Sequence, residues 1–352
     1  MRIAVIGAGA MGAAIGLYMI KNGIEVELVD TDPIQAAEIR RNGGRVLHSD
    51  VLRNFTVSAA VSSELSGIYD ILILTTKQTA NGKILPELTA HMGEDSVVCT
   101  LQNGIPEPSV AKAVGRERTI GGSMLFGATL VEPGVVRITT QYGNFRESAF
   151  QIGQMDGKKT EKLRDLAALL GTVGGVTMID NLMETKWAKL LINCSRSGMS
   201  TALNCTFGEV AENPRSLLCA LLIAKECLTV CRAEGYVMAA LPSEDPNQYD
   251  WTDRAGLLKS MELFKADGVP STALRASMLQ DLQRGLPTEI DYINGLVVEL
   301  SRRHGIPAPV NTRVVQLVKE TQESGKPGQF DRQLRRFDDL LLAYDDLLTR
   351  TG

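Results

Sequence analysis

Met1-Arg-Ile-Ala-Val-Ile-Gly7-Ala-Gly9-Ala-Met-Gly12, continued to Asp30, reads as strand, glycine turn, helix and second strand. Residues 2–6 are a short, β-branched apolar run, and the glycine turn follows without a break. Ala13, Ile15, Leu17 and Ile20 mark an amphipathic helix that ends at Gly23, and residues 26–29 form a strand stopped by Asp30. In such a unit Gly7 makes the tight turn, Gly9 lets backbone approach a pyrophosphate, and Gly12 lets the helix pack on the strand. The helix start, at Ala10, Met11 and Gly12, offers N–H groups and a positive dipole end to phosphates. Asp30 is placed to accept hydrogen bonds from ribose hydroxyls. The spacing therefore predicts a dinucleotide-binding unit, with Gly7, Gly9, Ala10, Met11, Gly12 and Asp30 as its cofactor-binding residues.

A chain of 352 residues is long for one core, so two domains are expected. The 44% apolar and 22% charged content is that of a soluble globular protein. A net charge of −4 offers no broad basic surface, which argues against nucleic acid as a partner. No apolar run reaches the length of a bilayer span. The apolar start is broken by its glycines and has no cleavage-site pattern, so it reads as a strand rather than a signal peptide. The cysteines form no CxxC pair. Cys227 and Cys231, one helical turn apart, read as small buried apolar residues, and His48, His91 and His304 have no metal-ligand spacing. A reduced, cytoplasmic enzyme without a metal is expected.

Beyond Asp30, residues 33–42 suggest a helix ending at Gly43-Gly44, and residues 46–57 short strands. Tyr69-Asp-Ile-Leu-Ile-Leu-Thr75 is a nearly continuous apolar run, as expected of a parallel strand buried on both faces. It leads into Thr76-Lys77-Gln78 and a helix toward Leu88. Residues 97–101 repeat the pattern and end in Gln102-Asn103-Gly104. This alternation predicts a doubly wound, Rossmann-type parallel sheet. Ligands of such sheets sit beyond the carboxyl ends of the strands, which makes Lys77 and Asn103 candidates; a solvated lysine and an ordinary Asn-Gly turn are equally open readings. Residues 121–152, with turns at Glu132-Pro-Gly134 and Tyr142-Gly143, read as further strands. A helix over 160–170 and a strand over 176–178 complete a first domain of residues 1–180. From there the pattern is helical, so residues 181–352 are expected to form an all-α domain, with a polar loop at 242–252 and a surface helix after Gly325.

The first helix of that domain spans residues 184–197. Trp187, Leu190, Leu191 and Cys194 make its apolar stripe, while Lys189, Asn193 and Ser197 recur every fourth residue on another face. Facing a nucleotide cleft, this polar stripe would bring a lysine and two hydrogen-bonding groups to the nicotinamide; the wet side of an amphipathic helix has the same spacing. Further on, Thr288 reads as a helix N-cap with Asp291 in capping-box position and Ile290, Ile293, Val297 and Leu300 as the buried stripe. Glu289 in the first turn would be stabilised by the helix dipole. The apolar run 217–223 could bury either a homodimer interface or its own core.

With these stretches in hand, the chain resembles the ketopantoate reductases (2-dehydropantoate 2-reductases) over most of its length. The resemblance rests on residues 7–12, Gln102-Asn-Gly104, Trp187-Ala-Lys-Leu190 with Asn193, Ser277-Met-Leu-Gln-Asp281 and Thr288-Glu-Ile-Asp-Tyr-Ile-Asn-Gly295, in that order and spacing. It implies reduction of a small 2-oxo acid to a D-2-hydroxy acid with a nicotinamide cofactor. Lys189 would be the general acid, and Glu289 would pair with and orient groups at the same site. Asn103, Asn193 and Ser277 would hold the nicotinamide and the substrate in an attack geometry, with Ser197, on the same helix stripe, as a further substrate-binding candidate.

Three positions depart from the family pattern. Members that use NADPH usually carry an arginine just past the second strand, where this chain has Asp30-Thr31-Asp32, which suits the free hydroxyls of NADH. Lys77 stands where a second phosphate-binding lysine is common, so NADPH remains open. Ser197 and Leu274 replace amide side chains, suggesting a less polar pocket and a bulkier or more apolar 2-oxo acid. NADH-dependent D-2-hydroxy acid dehydrogenases of the D-mandelate type share the Asp30 feature. A non-catalytic nucleotide-binding redox sensor is the reading from another class, and it would have little use for Lys189 and Glu289.

Overall fold

The computed structural model describes residues 1–241, 244–268, 272–344 and 346, and the chain divides into two compact units, Met1–Leu182 and Met183–Gly352.

The first unit is built on an eight-stranded sheet. In chain order its strands and neighbours are β1 (Ile3–Ile6), β2 (Glu27–Asp30), β3 (Gly44–His48), β4 (Val51–Phe55), β5 (Ser58–Val61), β6 (Tyr69–Leu74), β7 (Met92–Thr100), β8 (Thr119–Met124), β9 (Ala128–Glu132), β10 (Val135–Ile138), β11 (Phe150–Gly153) and β12 (Val176–Met178). The large sheet runs β12-β11-β8-β7-β6-β1-β2-β5, all parallel from β5 to β8, with β11 antiparallel to β8. The strand order reverses between β1 and β6, which is where an open α/β sheet leaves a crevice at its carboxyl edge.

Alternation along β1 explains the two cores. Ile3 and Val5 face α1 (Ala10–Lys21), whereas Ala4 and Ile6 join Ile84, Leu85, Leu88, Val110 and Val114 on the other side. Those five residues belong to α3 (Asn81–Thr89) and α4 (Glu107–Val114); α2 (Pro33–Asn42) packs on β2 and β5.

Strands β3, β4, β9 and β10, expected only as strands of the first domain, form a second sheet, in the order β4-β3-β10-β9. This small sheet covers α1, so that the helix read as amphipathic is buried without a break from Gly12 to Met19. The Tyr142-Gly143 turn instead opens a short helix, α5 (Tyr142–Glu147), before β11; α6 (Glu161–Gly171) follows.

In the second unit, α7 (Leu182–Ile192) passes into a wide π-helical turn, Asn193–Gly198, and then into α8 (Met199–Leu203). The continuous helix expected over 184–197 is therefore interrupted. Next come α9 (Phe207–Glu212), with a Thr206/Glu209 capping box, and α10 (Pro214–Ala233), doubly capped by Asn213 and led by Pro214. The run 217–223 is buried within α10 and is core. The remaining long helices are α11 (Arg254–Gly268), α12 (Ser277–Gln283), α13 (Asn294–Arg303) and α14 (Pro309–Ser324). Pro246–Tyr249 forms a 3-10 turn within the expected polar loop, of which 242–243 lie outside the described residues. The charged tail is a series of short turns from Phe330 rather than one helix, and its part at 345 and 347–352 also lies outside them.

The helix expected from Thr288 starts later. Both the N–H and the hydroxyl of Thr288 donate to Gln322 Oε1, at 2.9 and 3.1 Å, and Asp291 pairs with Lys319 at 2.6 Å. Their capping partners are thus supplied by α14, and no capping box forms. A 3-10 turn, Ile290–Tyr292, precedes α13, which begins only at Asn294. Among the described residues no helix is long and apolar enough to cross a membrane.

Candidate active site

In the first unit the candidate cofactor residues meet at the carboxyl edge of β1, β2, β6 and β7. Gly7 has φ +104°, and its N–H donates to Val29 O at 2.7 Å, so the chain turns sharply off β1 while staying tied to β2. A β-carbon at Gly12 would collide with the carbonyl oxygen of Gly7 and with Thr75 Oγ1. Thr75, one residue past β6, donates to the carbonyls of Ile6 and Gly7 at 3.0 and 2.9 Å. Gly9 is different: a β-carbon there would meet nothing within 4 Å. Gly9 also caps α1 without a side chain, so the first-turn N–H groups of Ala10, Met11 and Gly12 take no acceptor from their cap. Open space before bare helix N–H groups suits a pyrophosphate.

Asp30 ends β2 half-buried, with Oδ1 accepting from the Asp32 N–H at 2.9 Å. Burial pushes its carboxyl above the usual range, while the N–H groups of Asp32, Thr31 and Ala8 pull it back. The Ala8 contact sets this carboxylate beside the glycine turn. Asp32 itself caps α2 through the Ile34 N–H at 2.9 Å. Lys77 is half-buried just beyond β6. Asn103 is fixed through its backbone, since Gln78 Nε2 donates to its carbonyl at 2.6 Å. Gln102 laces the two loops together by donating to Thr76 O at 2.9 Å and exchanging amide hydrogen bonds with Asn81.

In the second unit the polar stripe is the accessible line of a buried helix. Lys189, Asn193 and Ser197 are half-buried, whereas Trp187, Leu190, Leu191 and Cys194 are fully covered. Lys186, one turn before Lys189, is buried as well. Desolvation, reinforced by the Lys186 charge, lowers the Lys189 amine to about 7. An amine so placed exchanges a proton near neutrality, which ordinary lysines do not.

Two buried anchors hold the wide turn that carries Asn193 and Ser197. Arg196 points to the opposite side, stacks on the Phe264 ring at 3.9 Å and pairs with Glu244 at 3.0 Å. Asn294 packs on Gly198 and donates to Cys194 O at 3.2 Å and to Asn311 Oδ1 at 2.9 Å. Asn311 in turn donates to Glu226 at 2.7 Å. Ser277 is exposed at the start of α12, which packs against the same turn. Glu289 is buried immediately before the 3-10 turn that leads to Asn294. Leu274 is more than half exposed.

A sequence profile described as "Ketopantoate reductase PanE/ApbA" matches residues 3–152, and one described as "Ketopantoate reductase PanE/ApbA C terminal" matches residues 181–322. The chain belongs to the ketopantoate reductase family. It is an oxidoreductase of that family, acting on a small 2-oxo acid with a nicotinamide cofactor. The 2-dehydropantoate 2-reductase of Pyrococcus horikoshii is 27% identical, over 92% of this chain and 99% of its own. That of Archaeoglobus fulgidus is 28% identical, over 92% and 98%. Among solved structures, D-mandelate dehydrogenase with NADH and anilino(oxo)acetate superposes with a TM-score of 0.80 at 24% identity, covering 92% of this chain and 99% of that one. This last likeness concerns the fold.

Several residues of the ketopantoate reductase architecture gave no sequence signal. Gln35 reads as an ordinary helix residue, yet it is buried, donates to Ala8 O at 2.6 Å and accepts from the Gly134 N–H at 2.9 Å. It ties the glycine turn to the β9–β10 turn. Gln35→Leu keeps the bulk but strands both backbone groups, and we expect about tenfold weaker nicotinamide cofactor binding by equilibrium titration. Unchanged affinity would show that the turn holds its shape without Gln35. Arg196 and Asn294 were equally hidden, because their partners lie 48 or more and 17 or more residues away.

Proposed function

We propose that this chain reduces 2-dehydropantoate or a close analogue to the D-2-hydroxy acid, with NADH as its preferred cofactor. The observation that carries the reading is Lys189, an amine brought to about 7 on the accessible line of an otherwise buried helix. The bound nicotinamide supplies a hydride to the carbonyl carbon of the oxo acid. Lys189 gives its proton to the carbonyl oxygen as negative charge develops there, and is reprotonated from solvent after product leaves. Glu289 is the carboxylate that orients groups around that proton transfer. Asn193, Ser197, Ser277 and Asn103 are the hydrogen-bonding groups for substrate and nicotinamide. Gly7, Gly9, Ala10, Met11 and Gly12 cradle the pyrophosphate, and Lys77 adds a positive charge at the carboxyl edge. Residues 1–180 are thus the dinucleotide-binding part and 181–352 the catalytic part.

Asp30 supports NADH over NADPH. A 2′-phosphate on the adenosine ribose would face the carboxylates of Asp30 and Asp32, and like charges a few ångströms apart oppose binding strongly enough to cost tenfold or more. A second reading rests on Ser197 and Leu274: without amides there, a bulkier, more apolar 2-oxo acid of the mandelate type fits the pocket better than 2-dehydropantoate. Initial rates with 2-dehydropantoate and with phenylglyoxylate, each with NADH and NADPH, separate these. We expect kcat/KM with NADH to exceed that with NADPH by about tenfold or more. A preference for NADPH would refute the role of Asp30. Turnover of phenylglyoxylate alone would move the assignment to the second reading.

A further inference from the structure

The small sheet and α1 enclose a cavity of about 370 Å3 that the proposed reaction does not use. Its walls are the last turns of α1, the β3–β4 hairpin and the start of α5, all within the first unit. Tyr18 and His48 make the floor, both nearly fully buried. His48 Nε2 lies 2.8 Å from Thr140 O, and a carbonyl only accepts, so Nε2 carries the proton. Nδ1 is then the acceptor for the Tyr18 hydroxyl at 2.5 Å. Burial pushes His48 down and Tyr18 up, so the pair is neutral near pH 7, with both ring nitrogens of His48 engaged, one by Tyr18 and one by Thr140 O.

Charge enters only from the rim, and it is positive. Lys21 and Arg53 line the cavity, no carboxylate does, and neither cation pairs with a carboxylate among the described residues. The Lys21 ammonium instead rests 4.8 Å from the Tyr18 ring centre and 6.0 Å from that of Tyr142. Arg53 and Arg146 both act electrostatically on the Tyr18 hydroxyl. Lys21, in the last turn of α1, offsets the negative end of that helix, and the arginines leave a surplus. Asp50, next to the lining residue Ser49 in the hairpin turn, is not among the lining residues. Apart from Ser49, the remaining wall is flat or apolar: the Tyr142 ring, 47% exposed, with Val46 and Val51.

We propose that this cavity is a second ligand site, taking a small organic anion with a planar or apolar body, its anionic group held by Lys21 and Arg53. A carboxylate and a phosphate monoester share the chemistry the rim would recognise. The Tyr142 and Tyr18 faces would cover the body of the ligand, which free inorganic phosphate lacks.

The chain's three histidines make the test local. In full-length protein with 15N-labelled histidine, phenyl phosphate, benzoate and inorganic phosphate are titrated separately and the imidazole resonances followed. The proposal expects saturable shifts of His48 with phenyl phosphate and benzoate, weaker ones with inorganic phosphate, and still signals from His91 and His304. Lys21→Glu and Arg53→Glu change rim residues, the first half-buried and the second exposed, and should each weaken the His48 response about tenfold while leaving cofactor binding unchanged. The relative response to phenyl phosphate and benzoate distinguishes a phosphate from a carboxylate ligand. A silent His48 with all three probes would overturn the site, as would shifts that persist undiminished in both variants.

Discussion

Lys189→Ala should lower kcat for 2-oxo acid reduction by two to four orders of magnitude, the usual contribution of a positioned general acid, with cofactor affinity nearly unchanged. The amine has no substitute on its own helix: Lys186 lies one turn earlier and is buried. The pH profile gives the expectation a second handle. Reduction consumes the protonated amine, so kcat/KM in that direction should be level on the acid side and fall as pH rises through about 7. Oxidation of the hydroxy acid uses the neutral amine and should rise over the same range. The alanine variant should lose both inflections. Thermal melting separates lost chemistry from lost fold. A lysine whose folded-state value lies below its unfolded one opposes folding fully below about 7, where both states are protonated, and the penalty fades as pH rises from there toward the ordinary lysine value, the range in which only the unfolded chain holds the proton. Removing it should therefore leave Tm level or higher. Undiminished turnover would sink the catalytic assignment.

Gly12→Val should abolish nicotinamide cofactor binding in a fluorescence titration and lower Tm by several degrees. The new β-carbon falls on the Gly7 carbonyl oxygen and on Thr75 Oγ1, which itself donates to Ile6 and Gly7. Neither neighbour is the loose end of a flexible side chain. To make room, α1 must lift from β1 or the turn must open, and either displaces the N–H groups at the helix start. Overpacking of this kind costs about 1–3 kcal/mol, which in a unit of this size moves Tm by a few degrees per kcal/mol. Retained cofactor affinity would show that the phosphates are held elsewhere.

What the sequence disclosed was local. The stretch from β1 to Asp30 could be read because each glycine and the terminal acid act within thirty residues, and buried parallel strands such as β6 announce themselves as apolar runs. The departure of β9 and β10 from the main sheet could not be read. Their alternation fits either sheet, and the choice rests on β10 pairing with β3, ninety residues earlier. Thr288 and Asp291 carry a sound capping pattern that was overridden by Gln322 and Lys319 on α14. On the catalytic side, the four-residue spacing of Lys189, Asn193 and Ser197 was visible. The depressed amine was not, because it depends on burial and on the Lys186 charge acting together. Gln35 stayed silent for the same reason as Asn294: its meaning lies wholly in its partners.

The π-helical turn at Asn193–Gly198 bears on how this enzyme compares with its kin. A turn of that kind holds one more residue than an α-helical turn, and loss of one residue there would rotate everything after it by about 100°. Point changes at Ser197 alter what the turn presents, whereas a one-residue deletion would alter which residue is presented. With Ser197 in the substrate-binding role proposed above, substrate preference would drift by two separate genetic routes, one of chemistry and one of phase. Alignments that run α7 straight into α8 as a single helix see only the first.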